Sequence, residues 1–273
     1  MRVMAIGAAM VVAAPAVAQV ERPDGQPMRP APAPDGWSLT VGAAPVLSPA
    51  WQGSRETSLS IFPDLRVAYR DLLFASVPDG IGLNLVNRGG WKVGPLAKIR
   101  FGRDERNGGS PFLIAGGSDA LLGLGDVKAA GEVGGFVEKA WGPLRARGEL
   151  RKGFGGHDGV VADLSASYRA RMGRMIGSIG PRATVASGAF MQSYFGIDAR
   201  QSIDSGLARY DADGGLLSYG VGGTVVRPID RRQAITLFTS LERLGGPAGQ
   251  SPLVRERGRR AQFTLGLGYG FRL

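Results

Sequence analysis

The chain carries a single histidine, His157, in the run Gly155-Gly156-His157-Asp158-Gly159. A histidine beside a carboxylate could act as general base toward a hydroxyl nucleophile. No G-x-S-x-G elbow is present to expose such a serine. The preferred reading is therefore an outer-loop turn in which Gly155, Gly156 and Gly159 take positive φ. Asp211-Ala212-Asp213-Gly214 begins like a calcium loop, but the twelfth position, where a glutamate should close the coordination, is Gly222. Asx turns in an exposed loop account for these residues. With no cysteine in the chain, disulfides, thiolate metal sites, thiol nucleophiles and a lipidated N-terminal cysteine are excluded. No catalytic residue, cofactor or metal site is assigned, and the chain is expected not to be an enzyme.

The remaining chemistry is cationic. Lys and Arg total 33 against 23 Asp and Glu, a net charge of +10. Lys92, Lys98, Arg100, Arg145, Arg147, Arg151 and Arg169 fall on alternate positions of segments whose other face is apolar. In a hollow barrel they would point inward, where a ring of cations would favour anions. The alternative, which we prefer, pairs them with Glu149 and Asp163 in a salt-bridge network that fills a narrow interior. A second group, Arg103, Arg106, Arg255, Arg257, Arg259 and Arg260, lies in connecting segments. There they would meet lipopolysaccharide phosphates or form an ordinary solvated rim.

These side chains need strands to position them. Residues 91–101 place Trp91, Val93, Pro95, Ala97, Ile99 and Phe101 on one face. Residues 144–151 alternate apolar with Arg145, Arg147, Glu149 and Arg151, and residues 263–273 alternate Phe, Leu and Tyr with Thr, Gly and Arg. A period of two is a strand signal. Alternation predicts twelve strands, at 37–46, 57–69, 72–77, 80–86, 91–102, 130–141, 143–154, 159–170, 174–187, 216–227, 233–244 and 261–272. The connections alternate in length: 70–71, 87–90, 142, 171–173 and 228–232 are short, whereas 103–129, 188–215 and 245–260 are long. That asymmetry is expected of an antiparallel transmembrane β-barrel with short periplasmic turns and longer outer loops. The 44 glycines suit many turns, and their lack of a three-residue period rules out collagen.

Residues 1–18 have the form of a secretory signal: Arg2, an apolar run, then Ala16-Val17-Ala18. Residues 19–36, with Pro23, Pro27, Pro30, Pro32 and Pro34, are expected to form a periplasmic linker, leaving 37–273 as the barrel. Export argues against nucleic acid as a partner.

The chain resembles the MipA/OmpV family of outer-membrane proteins. The resemblance rests on Gly102-Arg103-Asp104, Leu122-Gly123-Leu124-Gly125-Asp126, Gly155-Gly156-His157-Asp158-Gly159, Ser193-Tyr194-Phe195-Gly196 and Ser251-Pro252-Leu253-Val254, in that order. It implies an outer-membrane location among lipid and lipopolysaccharide. For one branch it implies a scaffold joining a lytic murein transglycosylase to a bifunctional penicillin-binding protein. The expected alternative is a small-solute, anion-leaning channel. Many such barrels end in an aromatic residue read by the assembly machinery. This chain ends in Leu273, with Tyr269 and Phe271 keeping the register.

Overall fold

A computed structural model describes residues 36–273. The proposed signal segment and almost all of the Pro-rich linker, through residue 35, lie outside the described residues. The strands are β1 (Trp37–Pro49), β2 (Thr57–Tyr69), β3 (Leu73–Ser76), β4 (Gly80–Leu83), β5 (Val86–Arg88), β6 (Trp91–Arg100), β7 (Leu113–Gly116), β8 (Ala130–Trp141), β9 (Leu144–Gly155), β10 (Val160–Met172), β11 (Met175–Ala186), β12 (Gly215–Pro228), β13 (Gln233–Leu244) and β14 (Ala261–Arg272). Every pairing is antiparallel, and β1 pairs with both β14 and β2, closing a ring of twelve strands. β5 extends the line of β4 along β6, and β7 adds to the end of β2 outside the ring.

Alternation decides which face is which. Leu39, Val41, Leu65, Val93, Ile99, Val133, Val137, Leu150, Leu164, Ile179, Val221, Leu237, Leu241 and Leu267 stand exposed on the outside. Their neighbours Ser60, Glu132, Glu149, Arg151, Thr184, Ser240, Glu242 and Thr264 are buried inside. Water would penalise so broad an apolar exterior, whereas acyl chains solvate it, and the closed ring pairs the strand edges except beside the short β3–β4 hairpin. The exterior is therefore a membrane-facing surface. Trp37, Trp91, Trp141, Tyr168 and Tyr269 lie toward the end with tight turns, where aromatic side chains suit a bilayer interface. At that end Gly142 and Gly173 take φ of 57° and 59°, which lets two residues reverse the chain in each turn.

The other end carries the long connections, with helices α1 (Gly188–Phe195), α2 (Ala199–Ser205), α3 (Gly246–Gln250) and α4 (Pro252–Glu256). These connections do not wave in solvent. Trp51, Leu121, Leu124, Phe190, Met191, Phe195, Ile197, Leu207, Leu253 and Val254 pack into one buried core lying across the barrel mouth. Asp198 caps α2 with a reciprocal bond to Gln201, and Gln201 Nε2 donates to the carbonyl of Leu124, tying two loops together.

Two short strands form where connections were expected, β5 over part of 87–90 and β7 within 103–129, and one strand pair is shorter than expected. Alternation predicted 72–77 and 80–86, but β3 and β4 are four residues each, and their turn lies partway up the wall. Val77-Pro78-Asp79 forms the turn, and β4 stops at Leu83 because the chain bends at Asn84-Leu85.

Candidate functional site: the lumen and its cap

The cationic residues and four acidic ones converge in the lumen. Arg151 on β9 is 3% exposed; its Nε donates to Glu132 at 2.8 Å, its Nη2 to Asp163 at 2.5 Å, and its Nη1 to Glu149. Arg100 Nε donates to Glu132 at 2.5 Å, and Lys98 Nζ lies 2.8 Å from Glu149. Arg147 bridges Glu149 at 2.8 Å and Glu138 at 3.3 Å, and Arg145 reaches Glu138 at 3.3 Å. On the opposite wall Arg182 lies 3.6 Å from Glu242, which also accepts from Ser218. The register explains the convergence. Lys98 is opposite Glu132, Lys92, Glu138 and Arg147 form one row of alternating charge, and Glu149 is opposite Asp163, two acids that Arg151 spans from the neighbouring row. Lys92 pairs with Asp71 at the turn end, and Arg169 lies inside near Arg145 without an ion pair among the described residues.

Exposure falls steadily along this column. Side-chain exposure is 56% at Asp71, 37% at Arg145, 16% at Arg147, 4% at Glu149 and zero at His157. Solvent thus enters from the turn end and stops below the cap. The entry space is a cavity of about 320 Å³ whose lining includes Arg66, Arg145, Arg147, Arg182, Ser167 and Ser178.

His157 is the joint between lumen and cap. Its Nε2 lies 3.1 Å from Glu132 Oε1, while Nδ1 accepts from the Gly159 amide at 3.2 Å. The ring packs edge-on against Phe190 at 4.9 Å and Tyr194 at 6.0 Å. Burial pushes its pKa down, against the pull of Glu132. These contacts correct the turn expected from sequence. His157 is buried, and of the three glycines only Gly155 has positive φ, at 101°. Gly156 and Gly159 are needed for space instead. A Cβ at Gly156 would stand 1.8 Å from the Lys128 carbonyl, and one at Gly159 would stand 2.4 Å from the Phe190 amide. Among the described residues no hydroxyl hydrogen-bonds to His157, so these residues assemble no nucleophile pair.

The six loop arginines separate into two sets. Arg103 is buried, with Nη1 2.5 Å from the Tyr194 carbonyl, and burial lowers its pKa to about 10. Arg257 donates to the carbonyls of Ala120, Leu122 and Ser205, and Arg260 to that of Gly249. Those three brace the cap, whereas Arg106, Arg255 and Arg259 remain exposed on its rim. Asp211 and Asp213 are exposed, and among the described residues no acidic or histidine cluster could hold a metal. Tyr269 faces outward on β14 with its hydroxyl on Gln233 at 2.7 Å, and Phe271 follows in register.

Sequence reasoning missed Glu132, Glu138, Glu242 and Arg182 as network members and Arg66 as a cavity residue. Their alternation with apolar neighbours was the available signal.

The family model described as MltA-interacting protein MipA matches residues 41–273, nearly the whole described barrel. The chain belongs to the MipA family. That membership, together with the apolar exterior, makes it an outer-membrane β-barrel. No curated protein matches the chain. Among solved structures, an outer membrane channel from Pseudomonas putida F1 is similar at 14% identity and TM-score 0.46, over 93% of this chain and all of that one. The NanC porin is similar at 10% identity and TM-score 0.41, over 87% of this chain and all of that one. The fold of this MipA-family chain rests on its own strand pairing.

Proposed function

We propose that this MipA-family barrel is a closed outer-membrane anchor that presents surfaces to murein enzymes in the periplasm, a non-enzymatic scaffold. Its carrying observation is family membership, since the family description names the transglycosylase MltA as partner. The packed loop core and the ion-paired lumen support a barrel that holds position over one that conducts. In this reading residues 1–18 are cleaved on export, the exposed Arg106, Arg255 and Arg259 meet lipopolysaccharide, and Tyr269 and Phe271 serve assembly. The short turns offer little docking area, so the Pro-rich segment 19–36 is the element that reaches partners.

Affinity capture on the folded full chain tests this. A lytic murein transglycosylase and a penicillin-binding protein should be retained, and deletion of 19–36 should weaken retention while the barrel still migrates as folded before boiling. Recovery of neither enzyme would overturn the scaffold. The competing reading is an anion-leaning channel, favoured by the arginine-lined cavity at the turn end. Steady anion-selective conductance in planar bilayers would establish it instead.

A further inference from the structure

The short β3–β4 hairpin leaves an opening in the barrel wall. β2 runs thirteen residues and β6 ten, but the hairpin between them pairs only with residues 66–69 of β2 and with Leu96 and Ala97 of β6. Above its turn, β2 and β6 face one another with no strand between them until β7 joins β2 at Ser58–Ser60. Pro63 occupies the bare stretch of β2, a residue with no N–H to leave unpaired in lipid. Phe112 covers the upper part, 5.1 Å from the Phe62 ring and 5.6 Å from that of Phe101.

Behind the opening lies a cavity of about 270 Å³ that passes from outside to inside. Ile99, Phe101 and Pro63 form its membrane side. Ala44, Val46 and Phe238 form its inner wall, an apolar patch within a mostly polar lumen. Gly266 makes room for the Phe238 ring, since a Cβ there would stand 2.1 Å from it. A dry apolar cavity of about 150 Å³ already holds benzene, so this space suits an alkyl chain. At the inner end stands Arg66, which also lines the turn-end cavity. Its Nε and Nη2 pair with Asp64, while Nη1 is buried with no hydrogen-bond partner. A buried guanidinium nitrogen left unsatisfied is costly, and an anionic oxygen would satisfy it.

We propose that the wall opening admits the single alkyl chain of an acidic amphiphile from the membrane, with the chain against Ala44, Val46 and Phe238 and the acidic head at Arg66. The site is independent of the scaffold role, and neither stands or falls with the other.

Fluorescent parinaric acid added to the folded full chain in amphipol tests the assignment, with its methyl ester and a lysophospholipid as the other arms. Saturable binding of the acid, weaker binding of the ester, and about tenfold loss of acid binding in Ala44→Leu are expected. Arg66→Gln should abolish the preference for acid over ester while leaving ester binding in place. Displacement by lysophospholipid would mark a membrane lipid as the source, and its failure a free fatty acid. Should Ala44→Leu not fold, Gly268→Val fills the same space, since a Cβ at Gly268 comes no closer than 3.8 Å to any neighbour, Ala44 and Thr236 being nearest. No saturable binding, or binding unchanged in a folded cavity-filling variant, would overturn the proposal.

Discussion

His157 shows how one side chain can hold two parts of a barrel together. Its neutral form is satisfied at both nitrogens, with Nε2–H toward Glu132 and Nδ1 accepting from Gly159. Protonation would turn Nδ1 into a donor facing a donor. Consistently, burial holds its pKa below the ordinary value. Below about pH 6.5 the unlatched histidine binds a proton that the latched one refuses, so cap stability falls as pH drops through that value. Limited proteolysis of residues 187–214 should accordingly be faster at about pH 5.5 than at neutral pH. His157→Gln should flatten that dependence, and equal proteolysis of the parent chain at both pH values would refute the latch. Glu132 bears more weight, accepting from Arg100, Arg151 and His157. Glu132→Gln leaves Arg100 without its ion-pair partner and Arg151 with two of its three, and losing one partner of a buried ion pair costs about 3–5 kcal/mol. The temperature at which the folded band disappears on a gel should drop clearly, while exposed Arg255→Gln should leave it unchanged.

At the level of elements, the legible part was set by periodicity. β9 and β14 alternate so cleanly that their ranges follow from the sequence to within a residue, and once a membrane barrel is read their inward faces follow too, because a one-residue slip would put Arg145 and Arg147 into lipid. β3 and β4 were overextended because apolar alternation runs on past the residues that pair: the chain turns from Val77 and bends at Asn84-Leu85 before β5 resumes along β6. The cap was not legible. Phe190, Leu121, Trp51 and Leu253 belong to four segments between 51 and 253, and nothing local to any of them reports that they meet. Their burial makes a prediction that the outer-loop expectation did not. Phe190 is fully buried against His157 and Tyr194, so Phe190→Ala should cost about 3–5 kcal/mol of cap stability. Hydrogen exchange should quicken in α1 and the neighbouring loops while β8–β11 stay protected. Uniform loosening of the strands would show that cap and barrel are one cooperative unit.

For the whole molecule, the decisive property is one-sided access. The fall in exposure from Asp71 to His157 means that the lumen communicates with the turn end and is sealed at the loop end. A barrel can hold a continuous polar interior yet conduct nothing if that interior is filled by mutually paired charges, and here Arg151 alone engages three carboxylates at 3% exposure. The absence of cysteine gives a clean test, because one introduced thiol is the only reactive sulfhydryl. Ser167→Cys places it in the turn-end cavity, and Ser118→Cys places it inside the cap beside the Trp51 indole. A membrane-impermeant maleimide should leave both unlabelled on intact cells. Once the outer membrane is breached and the periplasmic face exposed, Ser167→Cys should react and Ser118→Cys should stay protected. Labelling of Ser167→Cys from outside intact cells would mean that small solutes cross the cap. The closed-anchor reading would then give way to a channel, whatever partners the barrel retains.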